Sequence, residues 1–183
     1  MRIGVFADAH DHLDNVRRAV EVFNRRGCDL VVFAGDFVSP IVLPPLRKLK
    51  CKMLACFGDN EGNRVGIHGG FRILGQLAES AFGFRTPDGK RILVTHVAEH
   101  ARVDLSEFDV VISAHTHKPH AYRDDRQRLH LNPGETSGWT YRQPTVAILE
   151  TETLAVEVVS LLEQEIAIDT TETTDLYPPG DID

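Results

Sequence analysis

Cysteine is scarce in this chain: Cys28, Cys51 and Cys56 are the full complement. Their odd count and their spacing fit no zinc, redox or disulfide framework, which leaves them as small buried hydrophobes of a reducing compartment. Long apolar runs are also missing. None approaches the roughly 18 residues of a membrane span. At the N-terminus, Met1-Arg2 leads only into Ile3–Ala7 before Asp8, an apolar stretch too short for a secretory signal, so cytoplasmic residence is expected. Basic charge is in deficit, with 20 Lys and Arg against 27 Asp and Glu and a net charge of −7. That balance argues against a broad electrostatic grip on nucleic acid. It leaves phosphate substrates open, because bound cations can be the largest local charges in a site. After Arg142 basic residues stop altogether, and the chain runs acidic through Glu150, Glu157, Glu165 and Asp175 to Asp183.

What is present is a chain of 183 residues, the size of one domain with its own core. We expect one domain over 1–165 and an acidic, flexible tail over 166–183, with Ile166–Ile168 as a candidate edge strand. Five apolar, β-branched runs read as strands: Arg2–Ala7, Leu30–Ala34, Lys52–Phe57, Ile92–Thr95 and Val110–Ser113. Leu13, Val16, Val20 and Phe23 recur at helical spacing, with Asp11 and Asp14 at the positive end and Arg25-Arg26-Gly27 at the other. Further helices are predicted over Pro44–Lys50 and Phe71–Glu79. Pro87-Asp88-Gly89 signals a turn between short strands. Beyond Ala121 the pattern turns antiparallel, with runs at Leu129–Leu131, Thr145–Leu149 and Leu154–Ser160, and Asn132-Pro133-Gly134-Glu135 forms a tight turn.

Each of the five strands ends in residues of metal-ligand type: Asp8-Ala9-His10, Gly35-Asp36, Gly58-Asp59-Asn60-Glu61, His96, and Ala114-His115-Thr116-His117. Singly, each is a common turn or a piece of surface polarity. Jointly they deliver seven oxygen and nitrogen donors to the carboxyl ends of strands, where open α/β sheets bind ligands. Such a set suits two metal ions about 3.5–4 Å apart. Asp36 is the candidate bridge, because the preceding Gly lets the chain turn sharply at the strand end. Imidazole mixed with carboxylate points to Mn, Fe, Zn, Ni or Co rather than Ca, with Mn the first choice.

These strings, together with AspAlaHisAspHisLeuAspAsn at 8–15, GlyAspPheValSer at 35–39 and AsnProGlyGlu at 132–135, resemble the calcineurin-like metallophosphoesterase superfamily, in particular its small single-domain phosphodiesterase branch. The resemblance spans about residues 1–160. It implies an α/β fold, a four-layer αββα sandwich with mixed sheets. It also implies a dimetal centre with Asp8, His10, Asp36 and His117 on one ion and Asp36, Asp59, His96 and His115 on the other. A hydroxide shared by the ions would attack phosphorus in line with the leaving group. Asp36, Asp59, Asn60 and His96 are then the catalytic candidates.

Two positions depart from the family pattern. Asp59 stands where the superfamily usually has Asn, and Asn60 where many members have a His that assists the leaving group. An ionised Asp59 brings a centre of two divalent ions, three carboxylates and one hydroxide to zero net charge. That favours a singly charged diester over a monoester dianion. Glu61 is expected to hydrogen-bond a ligand or neighbouring backbone. His12 and His100, close in sequence to ligand positions, are candidates for the missing acid. His68, His120 and His130 read as surface or structural, the Arg123, Arg126 and Arg128 cluster as a solvated turn, and Trp139 and Tyr141 as shaping a substrate or subunit surface. The expected partner is a small phosphate ester, with homo-oligomerisation open and no membrane or nucleic-acid signal. The competing readings are a non-catalytic protein-binding scaffold of the same fold and a phosphomonoesterase.

Overall fold

Alternation along the central strands divides their side chains between two cores. In β1 (Arg2–Phe6), Phe6 faces one core while Ile3 and Val5 face the other. In β2 (Leu30–Phe33), Val31 and Phe33 oppose Val32 in the same way. The computed structural model describes residues 1–162, so the expected tail and the candidate strand at Ile166–Ile168 lie outside the described residues.

After β1 come α1 (Leu13–Arg26), β2, α2 (Leu43–Leu46), β3 (Lys52–Cys56), α3 (Arg64–Phe71), β4 (Gly75–Ala78), β5 (Phe82–Arg85), β6 (Arg91–Val94), β7 (Val110–Ile112), β8 (His120–Arg123), β9 (Leu129–Asn132), β10 (Thr145–Glu150) and β11 (Ala155–Ser160). The first sheet has the order β11-β10-β1-β2-β3-β4, parallel from β1 to β4 and antiparallel at β10 and β11. The second has the order β5-β6-β7-β9-β8, with a parallel centre and antiparallel edges. The sheets face each other across Ile3, Val5, Val32, Ile92, Val94, Ile112, Leu131 and Leu149. The three α-helices cover the other face of the first sheet through Val16, Phe23, Leu46 and Ile67. The sandwich is thus unequal. Among the described residues, the β6–β7 crossover of the second sheet carries only 3-10 turns, at Ala98–His100 and Leu105–Glu107. Also among these residues, no helix is long and apolar enough to cross a membrane.

The five expected strands and α1 form within a residue or two of their predicted bounds. His12 caps α1 by accepting from the backbone N–H of Asn15, and Gly27 ends it at φ 64°. The other two helices need correction. Over Pro44–Lys50, only Leu43–Leu46 is α-helical, and i to i+3 bonds close the chain from Arg47 to Leu49. Phe71–Glu79 is not a helix: α3 ends at Phe71, and residues 75–78 are strand β4. Two glycines in this stretch sit at close contacts. Gly70 lies inside α3 because a Cβ there would come within 2.5 Å of Leu43 Cδ1. A Cβ at Gly75 would come within 1.8 Å of the Met53 carbonyl oxygen, a demand of close strand packing. The Arg123–Arg128 turn is less solvated than expected. Arg128 is buried, pairs with Asp124 at 3.1 Å and donates from Nε to the Phe108 carbonyl.

Cys28 and Cys56 are buried and Cys51 partly so; all three are free thiols. Burial pushes the Cys28 and Cys56 thiols up to about 12, so they stay protonated and unreactive.

Candidate metal centre

Every expected ligand lies just past the carboxyl end of a parallel strand. Asp8 and His10 follow β1, Asp36 follows β2 and Asp59 follows β3, while His96 follows β6 and His115 and His117 follow β7. The first four belong to one sheet and the last three to the other, and the seven converge where the two sheet edges meet.

The loops reach this point through uncommon backbone. Asp8, His10, Asp36, His115 and His117 all have φ between 40° and 66°. For non-glycine residues the left-handed region is sparse and collects at functional sites. Backbone bonds knit the loops together: Asp8 N–H donates to the Gly35 carbonyl, Ala9 and His10 to that of Asp36, and Ser137 to that of Asp8. Gly35 and Gly58 permit the approach. A Cβ at Gly35 would lie 2.7 Å from His96 Nδ1, and one at Gly58 would lie 2.0 Å from Asp36 Oδ1.

Two outer donor groups result, with a third, Asp8, Asp36 and His96, straddling them. In one, Asp8, His10 and His117 each offer an atom within 4.8 Å of the others; in the second, Asp59, His96 and His115 do so. Asp36 Oδ2 lies between the groups, 3.5 Å from His10 Nε2 and 3.4 Å from His96 Nε2. Asp59 Oδ1 lies 2.8 Å from His96 Nε2 and 3.3 Å from His115 Nδ1.

A surrounding layer aims these side chains. His96 Nδ1–H donates to the Ala34 carbonyl at 2.7 Å, which turns Nε2 inward. His117 Nδ1 meets the Glu135 carboxylate at 2.9 Å, with the same effect on its Nε2. Asn60 donates twice to Asp36, from its backbone N–H to Oδ1 at 2.9 Å and from Nδ2 to Oδ2 at 2.8 Å. Asn60 therefore clamps the bridge candidate. Glu61 accepts the backbone N–H groups of Asp36, Phe37, Val38 and Gly58. It holds Val38 at φ 80°, a rare conformation for a β-branched residue. Sequence reasoning anticipated a backbone contact for Glu61 but missed Glu135, read only as part of a turn. Fully buried, Glu135 also accepts from Thr140 N and Tyr141 N, and so ties the 137–141 loop to His117. The signal available was an acidic residue directly after Pro133-Gly134, beyond a buried strand.

The titration behaviour reflects this crowding. Burial lifts Asp8 to about 7, against the pull of His96 and His117. Burial also opposes a charged His96, yet its contact with Asp36 and the charges of Asp36 and Asp8 raise it to about 9. Asp36 is buried too, but His96 and the two Asn60 hydrogen bonds hold it well below the usual carboxylate range. Burial lowers the pKa of His10.

Both Asp8 carboxylate oxygens are buried and have no hydrogen-bond partner, and buried His96 Nε2 faces only the carboxylates of Asp59, Asp36 and Asp8. Buried carboxylate oxygens without a partner are costly, and a carboxylate of this kind beside an inward-facing imidazole nitrogen fits a cation. The mixed carboxylate and imidazole set suits divalent transition metals. A pH effect follows for metal-stripped protein. Folded Asp8 binds its proton more tightly than the unfolded value of 3.8, so its contribution is full below that value and is lost as pH rises through about 7. The contribution of His96 is full below 6.5 and is lost through about 9. A cation bound by these residues would take the place of the protons. The gain in melting temperature on adding saturating Mn²⁺ should therefore widen from pH 6 to pH 9. Paired thermal melts test this, and a gain that shrinks with pH would contradict it.

Beside Asp59 and His96 opens a cleft of about 420 Å³ that reaches His100 and Arg102. His12 is on the opposite bank, capping α1 and packed on Trp139 at 4.6 Å between ring centroids.

Residues 1–154 match the calcineurin-like phosphoesterase superfamily domain. The chain belongs to this family. Among its relatives is the phosphodiesterase MJ0936 of Methanocaldococcus jannaschii, 32% identical over 158 residues that cover 83% of this chain and 94% of that protein. The solved structure of an archaeal phosphodiesterase superposes with a TM-score of 0.80 at 30% identity, covering 87% of this chain and 99% of that one. The zinc complex of Vps29 from Entamoeba histolytica shares the fold at a TM-score of 0.59 and 18% identity, covering 88% of this chain and 99% of its own.

Proposed function

We propose that this phosphoesterase is a dinuclear, metal-dependent phosphodiesterase acting on a small phosphate ester. The observation that carries the proposal is Asp36 Oδ2, within 3.5 Å of His10 on one side and of His96 on the other, one carboxylate serving two donor groups. Asp8, His10, Asp36 and His117 would hold one ion; Asp36, Asp59, His96 and His115 would hold the second. When bound, such ions supply Lewis acidity toward a phosphoryl oxygen and a water made nucleophilic near neutral pH. The chain's own part is to fix the donors. Glu61 and Asn60 hold Asp36, the Ala34 carbonyl orients His96, and Glu135 orients His117. Because His12 is committed to capping α1, His100 in the cleft is the better candidate to protonate the leaving oxygen.

Hydrolysis of bis-p-nitrophenyl phosphate and p-nitrophenyl phosphate by stripped protein, re-supplied with single cations, tests this reading. We expect no turnover without metal, recovery with Mn²⁺ above Fe²⁺, Co²⁺, Ni²⁺ or Zn²⁺, and a faster diester reaction. Turnover without metal would refute metal dependence. A faster monoester reaction would point to a phosphomonoesterase, and inactivity with every metal and ester to a protein-binding scaffold.

Asp59 supports the diester preference, since a third carboxylate lowers the positive charge offered to a dianion. Asp59→Asn should weaken metal binding about ten-fold or more, a scale at which even outer partners of a metal act. With metal saturating, its pH–rate profile should shift toward acid and monoesters should gain on diesters. Coincident profiles at full occupancy would remove Asp59 from the ligand set.

A further inference from the structure

Trp139 is the sole tryptophan of the chain and is 64% exposed, so its ring contributes little to the core. It is nevertheless fixed in three ways. Its Nε1–H donates to the His10 carbonyl at 3.2 Å, one face lies against the His12 ring, and its loop is tied to Glu135 through Thr140 and Tyr141. Glu135 in turn contacts His117. The indole is thereby anchored to the His10 backbone and, through its loop and Glu135, to the His117 imidazole. On the same rim the Lys118 ammonium lies 5.4 Å from the centroid of the Tyr141 ring, itself half-exposed. An open, anchored aromatic surface beside the metal-ligand candidates is what a planar base attached to a phosphate requires. The cleft with His100 and Arg102 flanks the second donor group, so the centre has two banks and a diester has two arms.

Resting on the phosphodiesterase reading, we infer that Trp139 is the specificity platform of the site, stacking a nucleobase carried by one ester arm. Phosphate between the two donor groups would leave that base over the indole. The enzyme would then select nucleotide diesters over alkyl diesters with the same leaving group.

Two measurements test this. The first is binding without chemistry: adenosine, which carries no phosphate to be repelled by the empty donor groups, should quench the fluorescence of Trp139 in metal-free protein, whereas ribose should not. The second compares thymidine 5′-(p-nitrophenyl phosphate) with methyl p-nitrophenyl phosphate in Mn²⁺-loaded protein. Trp139→Ala should lower the ratio of their kcat/KM values about ten-fold, mostly through KM, as expected for loss of one stacked base. Trp139→Phe should keep most of the preference. Absence of quenching would overturn the inference, as would an equal loss on both esters. So would a change of oligomeric state in Trp139→Ala with the preference intact, which would assign the face to a second copy. If no diester is hydrolysed with any metal, the phosphodiesterase reading fails, and the fluorescence comparison alone decides whether Trp139 receives a base.

Discussion

Asp36→Ala is expected to bind at most one metal ion per chain and to lose diesterase activity by about 10²–10⁴-fold, the range over which a positioned catalytic group acts. The variant removes the oxygen that faces both His10 and His96 and strands the two Asn60 donors. It also removes the charge that does most to keep His96 protonated. Elemental analysis after reconstitution with Mn²⁺, beside turnover at saturating metal, reads both effects. Retention of two ions, or activity within ten-fold of the parent, would defeat the bridging role of Asp36. Circular dichroism separates loss of the centre from loss of the fold.

Glu61→Ala should cause the largest loss of stability among variants near the site. One carboxylate collects four backbone N–H groups from two segments, residues 36–38 and Gly58. A hydrogen bond to a charged acceptor contributes about 1.5–3 kcal/mol, and neighbouring bonds do not add fully. A loss of about 3 kcal/mol corresponds to a fall of roughly 6–12 °C in melting temperature for a chain of this size. Val38 loses the contact that holds it at φ 80°, and the Asp36 loop loosens with it. Metal affinity should fall about 10–100-fold, as for other outer partners of metal ligands. Glu61→Gln should lie between the parent and Glu61→Ala, because its amide presents a donor where the loop offers only donors. Thermal melts and metal titrations check both variants; a melting temperature within about 2 °C of the parent would show that water replaces the carboxylate without cost.

The strands and the seven candidate ligands could be read from the sequence because each β-branched run stops at a residue of ligand type. The backbone that joins them could not. Asp and His visit the left-handed region more readily than most residues, but no local signal says that Asp8, His10 and His117 all adopt it, and the bonds that tie the Asp8 loop to those of Asp36 and Ser137 span distant segments. Asn60 stands as a catalytic candidate where many members have a His, yet its contacts clamp Asp36, a role that no local signal marks. Glu135 escaped because the imidazole it orients, His117, is 18 residues earlier in the sequence. Residues 64–79 misled for a different reason. Gly70 and Gly75 obey close packing against Leu43 and Met53, which overrides local propensity. The thin outer layer of the second sheet is likewise a matter of what the β6–β7 connection contains, here two 3-10 turns.

The origin of the seven side chains has a mechanical consequence. Each donor group draws on both sheets: Asp8 and His10 with His117, and Asp59 with His96 and His115. A cation held there is a cross-link between chain positions far apart in sequence, closing large loops at one end of the hydrophobic seam. Such a clasp acts like a rivet. It resists shearing of the sheets past one another, and its release is felt first in how long the native state survives rather than in how it is built. Chelation should therefore shorten the lifetime of the folded protein against proteolysis, beginning at the ligand loops, while the seam between Ile3 and Ile112 still holds.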